Sequence, residues 1–297
     1  MKIHKKDKPI PVKEPWQNAS GKIDYTLTNN YMFHVVLQEC QPVLWGLIRS
    51  LLRLNDEEIK EITIKNPIVP GEMIENKTFI LDILLVMNNN TTINLKMQVE
   101  NENNWTDRSL SYLCRNFDQL HRGQDYDFVF DTYHIGILDY TLFKDKPEFY
   151  AENMMMNIRN HKIFNDKFHL NVLSLNQIHL ATEEDKLWSL DLWAKLFKAT
   201  TWEDLKMIAD NNSTMATATK VIYEYNEDEL IRRQCRAREE YERHERTVNK
   251  KIQELTNELA EKDSALAEKD SALAEMKLQI QELKEQVQSL QNKLANS

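Results

Sequence analysis

The chain has 297 residues, only 5 of them Gly, and its 38 Lys and Arg against 47 Asp and Glu give a net charge of -9. That excludes several classes: no Gly-rich dinucleotide fingerprint or P-loop occurs, and no apolar run approaches the roughly 20 residues that span a bilayer. Three widely spaced cysteines (Cys40, Cys114, Cys235) exclude a disulfide framework or a zinc knuckle and point to a reducing cytoplasm.

The N-terminal stretch to Trp16 is basic and carries Pro9, Pro11 and Pro15 with no apolar segment behind it, so residues 1–19 read as a disordered basic tail and not as a secretory signal. Tyr31 to Leu54 has helical spacing, interrupted by Pro42. Phe79 to Met87 is a β-type apolar run and Ile93 to Val99 alternates. The turn chemistry of Asn88–Thr92 between them predicts a hairpin. Thr106 is a candidate N-cap for a helix running to about Arg122 and ended by Gly123. Phe128 to Leu138 and His169 to Leu175 read as strands, and Thr182 and Thr201 as N-caps of later helices. Trp188, Leu192, Trp193, Leu196 and Phe197 have helical spacing and read as core. Asn226 with Glu229 resembles a capping box that starts a last helix.

From Arg236 to Ser297 there is no Gly and no Pro, and 11 basic against 13 acidic residues put about -2 of the charge there, leaving about -7 on the rest. Glu-Lys-Asp-Ser-Ala-Leu-Ala occurs twice in tandem, at 261–267 and 268–274, which is the coiled-coil period. With a at Ile252, every a position to Leu294 is aliphatic; the d positions from Val248 to Leu290 are apolar except Lys262 and Lys269. Such a stripe asks for a partner helix, so a homo-oligomer through a coiled coil at 248–294 is expected. Upstream, the Arg-rich stretch 232–246 interleaves with Glu239, Glu240, Glu242 and Glu245, so it reads as an ion-paired helix surface before a DNA grip.

One residue is wrong for a plain core. Asp82 lies inside Phe79-Ile-Leu-Asp-Ile-Leu-Leu-Val-Met87, and an unpaired buried carboxylate costs several kcal/mol, so it needs a cation, donors or a metal. A loop at 89–91 sets Asp82 opposite Gln98; a loop of five residues sets it opposite Lys96. By strand alternation Lys96, Gln98 and Glu100 share one face. An Asp facing polar residues at i, i+2, i+4 suits a metal-dependent phosphodiesterase, though it also describes any solvated strand face. In the following helix Arg108, Tyr112, Arg115 and Gln119 fall on one face, with Leu110, Leu113, Phe117 and Leu120 on the other. The polar face reads either as a phosphate-contacting surface or as a solvated one.

These segments resemble the recombination-promoting nuclease/putative transposase family of the PD-(D/E)XK nuclease superfamily. The resemblance rests on Tyr25–Phe33, Lys77–Ile83, Ile93–Val99, Arg108–Cys114, Arg122–Tyr126 and His134–Asp139, and covers about 20 to 245. Residues 17–235 read by their own pattern as α+β with helix dominant, and the resemblance implies a PD-(D/E)XK restriction-endonuclease-like core at 20–145, followed by a mixed strand and helical extension at 146–235 and the coiled coil at 236–297. It also implies a Mg²⁺-dependent DNA endonuclease in which Asp82 holds the metal, Gln98 orients water or phosphate, and Arg108, Tyr112 and Arg115 contact DNA. The family pattern has Glu where Lys96 stands, and usually Asp where Asn30 stands. Asp and Lys neutralise each other, so the resemblance implies a weakened or inactive enzyme unless Glu100 supplies the missing carboxylate. The other expectation is a non-catalytic DNA- or protein-binding scaffold.

Overall fold

The computed structural model describes residues 14–66, 82–118, 125–210 and 212–295. It divides into two units, Met1–Glu239 and Glu240–Ser297. The first is α+β, as expected, around a six-stranded sheet.

The expected tail at 1–19 falls outside the described residues up to residue 13. Within the rest of that stretch, Glu14 pairs with Lys220 at 3.0 Å and α1 (Pro15–Asn18) follows. Pro42 does not kink one helix. It opens a second one: α2 (Asn30–Glu39) ends at Cys40, and α3 (Gln41–Leu52) begins with Pro42 in its first turn, where a missing N–H is harmless. Asn29 caps α2, its Oδ1 accepting from the Tyr31 and Met32 amides at 3.0 and 3.2 Å.

The sheet runs β1 (Ile62–Ile64), β2 (Ile83–Met87), β3 (Thr91–Gln98), β4 (Asp131–Leu138), then β6 (Ile163–Ser174) and at the edge β5 (Tyr150–Met156). β1–β2, β2–β3 and β5–β6 are antiparallel; β3–β4 and β4–β6 are parallel. The helix α4 (Trp105–Phe117) is the crossover between β3 and β4. Within the expected strand and helical extension from residue 146, β5 and β6 belong to the same sheet, and β6 pairs directly with β4. Residues 79–81 of the first expected strand lie outside the described residues, as do Gln119 to Arg122 and Gly123 at the expected end of α4.

One face of the sheet is apolar. Ile83, Leu85, Ile93, Leu95, Met97, Ile135, Ile137 and Leu173 pack with α2, α3 and the later helices in one core. These are α5 (Glu183–Leu187), α6 (Leu190–Lys198), α7 (Trp202–Ala209) and α8 (Ser213–Glu227). Thr182 and Thr201 cap α5 and α7 as their positions predict, accepting from the amides of Asp185 and Asp204. Asn226 is not a cap. It is buried inside α8 and clamps Tyr25, accepting from its amide at 2.9 Å and donating to its carbonyl at 3.0 Å. Asp228 starts the next helix instead, accepting from the Ile231 amide at 2.9 Å.

That helix, α9, runs unbroken from Glu229 to Ala295. Its first turns belong to the globular unit: Ile231, Gln234 and Cys235 are buried, and the Cys235 carbonyl accepts from Asn29 Nδ2 at 3.1 Å. Arg232 pairs with Asp24 at 3.0 Å and Arg233 pairs with Glu229, in line with an ion-paired helix surface. In the second unit the heptad residues stand exposed, among them Ile252, Leu259, Leu266, Leu273, Ile280 and Val287.

Candidate active site

The other face of the sheet is polar in its middle, and α4 covers it. Strand pairing in the hairpin sets Ile83 against Leu95 and Met87 against Thr91. One step further puts Asp82 opposite Lys96, the register of the longer-loop alternative, with pairing continuing until only Asn88–Asn90 turn. Asn88 and Asn89 both have positive φ, at 53 and 58°, a conformation Asn tolerates better than most residues. Asn66 fixes the backbone at this point where β1 has ended. Its amide donates to the Asp82 carbonyl at 2.6 Å and accepts from the Leu84 N–H at 2.8 Å, imitating a strand partner. Nothing in the local pattern marked Asn66 for this role, since the contact spans 16 residues.

Lys96 Nζ donates to Asp82 Oδ1. The carboxylate side chain is 4% exposed and the lysine 15%, so the pair is largely shielded from water. Asp82 Oδ2 has no hydrogen-bond partner among the described residues. Gln98 lies on the same face, its Nε2 donating to the Glu100 carbonyl at 2.8 Å and its buried Oε1 having no partner among the described residues. Glu100 does not share this face as strand alternation predicts. β3 stops at Gln98, the chain bends, and the Glu100 side chain is exposed.

Two buried histidines flank the ion pair electrostatically. His134 stands beside Asn94 in the parallel pairing, its Nδ1 3.1 Å from Asn94 Nδ2. Tyr112 stacks on its ring at 5.9 Å and 11°, and Trp105 lies 5.5 Å away. His134 is held down to about 4, chiefly by burial; Asp82 opposes this, and Lys96 and Arg108 reinforce it. His34 of α2 is held down to about 4 by burial, opposed by Asp82, and neither ring nitrogen has a partner among the described residues. Both rings are neutral near pH 7. Neither was singled out in the sequence, because a histidine without metal-ligand spacing carries no local signal.

The helix α4 does not divide as its spacing predicts. Its inner face is Trp105, Ser109 and Leu113, with Tyr112, Asn116 and Phe117 half-buried, while Leu110 of the expected apolar face is 48% exposed. Trp105 seats on Gly136: a Cβ there would lie 2.1 Å from the indole ring. Tyr112 thus serves as packing for His134. Arg115 is exposed, 5.8 Å over the Tyr112 ring, and Arg108 pairs with Glu102 at 3.1 Å. The face that remains open on this helix carries Arg115 and Leu110.

A divalent cation of the Mg²⁺ type takes oxygen ligands, with carboxylates supplying the charge. The residues present do not fit one. Asp82 is neutralised by an ammonium, Glu100 lies past the end of β3 at an exposed position, and Gln98 is neutral. Among the described residues no group of three or more His, Cys, Asp or Glu is arranged to hold a metal.

A protein-family model described as PD-(D/E)XK nuclease family transposase matches residues 27–252. Comparison with curated proteins and with solved structures gives no significant match. The matched region takes in the whole sheet, the hairpin with Asp82 and Lys96, and the anchored start of α9. The chain belongs to the PD-(D/E)XK nuclease family transposases.

Proposed function

We infer that this chain acts on DNA within its nuclease-transposase family, through a catalytic centre that is weakened or silent. The ion pair between Lys96 and Asp82 supports this reading. The ammonium takes the place a cation would need and removes the negative charge that would attract it. A glutamate at position 96 would instead stand about 5 Å from Asp82, and two such carboxylates repel each other until a divalent ion joins them. Arg115 and Arg108 would then meet phosphate beside the hairpin. The three free cysteines fit a reducing cytoplasm.

The test is plasmid nicking with Mg²⁺ or Mn²⁺. Wild type is expected to cut slowly or not at all, Lys96→Glu to gain cleavage, and Asp82→Ala added to Lys96→Glu to lose it again. Wild type cutting at a full rate sinks this reading, and cleavage that survives Asp82→Ala puts the site elsewhere.

The exposed heptad stripe of α9 favours a second reading, a non-catalytic DNA- or protein-binding scaffold assembled through a coiled coil at 248–294. The same assay separates the two: a scaffold gains no cleavage from Lys96→Glu.

A further inference from the structure

The end of the β5–β6 hairpin does not belong to the sheet's core. β6 pairs with β4 only from Phe168 onward, so its first residues, from Ile163, run past the neighbouring strand with β5 alone as partner. The β5–β6 register shifts twice, between Met154 and Met155 and between Met155 and Met156, and such irregularities bend a ribbon away from its sheet. Lys167 ties the base down, its Nζ donating to the Val129 carbonyl at 3.0 Å. Beyond that anchor every residue from Met155 to Phe164 is exposed.

The tip itself is ordered. Asn157 donates its amide to the Lys162 carbonyl at 2.9 Å and accepts from the His161 amide at 2.8 Å. Its side-chain oxygen accepts from the amides of Arg159 and Asn160 at 2.9 and 3.3 Å. This fixed loop displays Ile158, 88% exposed, with Phe164 behind it at 79%.

Charge decides what such an arm meets. The body outside the tail carries about -7, yet residues 153–165 contain Arg159 and Lys162 and no Asp or Glu. A two-stranded ribbon fits the major groove, where an apolar side chain can meet the thymine methyl while cations beside it hold phosphates. We propose that the β5–β6 arm is a duplex-DNA contact, with Arg159 and Lys162 on phosphates and Ile158 against the bases. Pairing relates Lys96 to Gly136 and Gly136 to Val172. The tip, ten residues before Val172 at Lys162, therefore lies roughly 30 Å along the strands from the candidate active site. It would hold DNA without touching the catalytic residues, and it rests on the DNA reading above.

The experiment is fluorescence-anisotropy titration of the full chain with a linear duplex of about 30 base pairs, repeated between about 50 and 200 mM salt. Each phosphate contact contributes about 0.9 to the salt slope, so Arg159→Ala with Lys162→Ala should lower the slope by roughly 2 and weaken binding about tenfold near the upper salt concentration. Ile158→Ser should weaken binding with the slope unchanged. All three positions are solvent-exposed, and circular dichroism checks that the variants stay folded. If wild type binds and both variants bind as well, with the same slope, the arm proposal falls while the DNA reading stands. If wild type itself binds no duplex, the DNA reading falls and takes the arm with it. Loss of binding to a protein partner with DNA binding intact would also overturn the proposal.

Discussion

Lys96 reaches across the hairpin to the carboxylate of Asp82, and the two charges neutralise each other where both side chains are largely shielded from water. Replacing Lys96 by Glu should leave two shielded carboxylates side by side, so the variant should melt below wild type without metal. Mg²⁺ should then restore stability, by about 2.7 kcal/mol once its concentration is about 100 times the dissociation constant. Wild type should show no Mg²⁺-dependent shift. Thermal melts with and without Mg²⁺ read this directly, and a wild type that responds as the variant does would contradict the ion-pair argument.

The two partners are not equivalent. Lys96→Ala strands a carboxylate whose side chain is 4% exposed, whereas Asp82→Ala leaves a lysine at 15% exposure with a flexible stem that can retract towards water. Lys96→Ala should therefore lose about 3–5 kcal/mol and Asp82→Ala about 1–3 kcal/mol. Urea unfolding of the globular unit measures both, and equal losses would argue against the difference in solvent access.

His34 and His134 make stability fall with acidity. Each has a folded value near 4 against an ordinary 6.5, so below about pH 6.5 the unfolded chain binds protons that the folded one refuses. Their stabilisation is complete above that pH and is lost progressively towards pH 4, by about 3 kcal/mol for each ring. Denaturant midpoints should drop between about pH 7 and pH 5. His34→Leu should flatten that slope, and by removing two buried nitrogens that have no partner among the described residues it should be neutral or stabilising at pH 7.

Gly136 is the floor on which Trp105 rests. A methyl group there would meet the indole at 2.1 Å, so Gly136→Ala must push the start of α4 off the sheet. The expected loss is about 3 kcal/mol, and the Tyr112–His134 stacking should loosen with it. Trp fluorescence together with urea unfolding checks this; an unchanged midpoint would mean the helix shifts at little cost.

The heptad stripe predicts assembly through the tail. The full chain should scatter light as an oligomer and residues 1–239 as a monomer, since the globular unit reaches Glu239 and keeps the anchored turns of α9. Replacing Lys262 and Lys269 by Leu should raise the melting temperature of the assembled tail. Equal masses for the full and shortened chains would rule out assembly by this segment.

Much of this was legible locally. Alternation and turn chemistry marked the hairpin, Thr182 and Thr201 marked helix starts, and Asp82 stood out because a carboxylate does not belong in an apolar run. The errors have local causes too. Asn226 with Glu229 has the spacing of a capping box, but a clamp on Tyr25, 201 residues away, took the side chain instead. Tyr112 shares helical spacing with Arg108 and Arg115, yet its ring is drawn inward by His134. Glu100 continues the alternation on paper, while the strand ends two residues earlier.

By itself the sequence determined that the fold is α+β, that a long Gly-free helix ends the chain, and that Asp82 meets Lys96 or Gln98. Period and composition act between near neighbours, and so survive in one dimension. Only the tertiary structure decided between Lys96 and Gln98, joined β5 and β6 to the sheet, and sealed His34 and His134 from water. Those outcomes depend on which strand lies beside which and on what α4 covers. Burial and pairing between distant segments are set by packing, which no local spacing records.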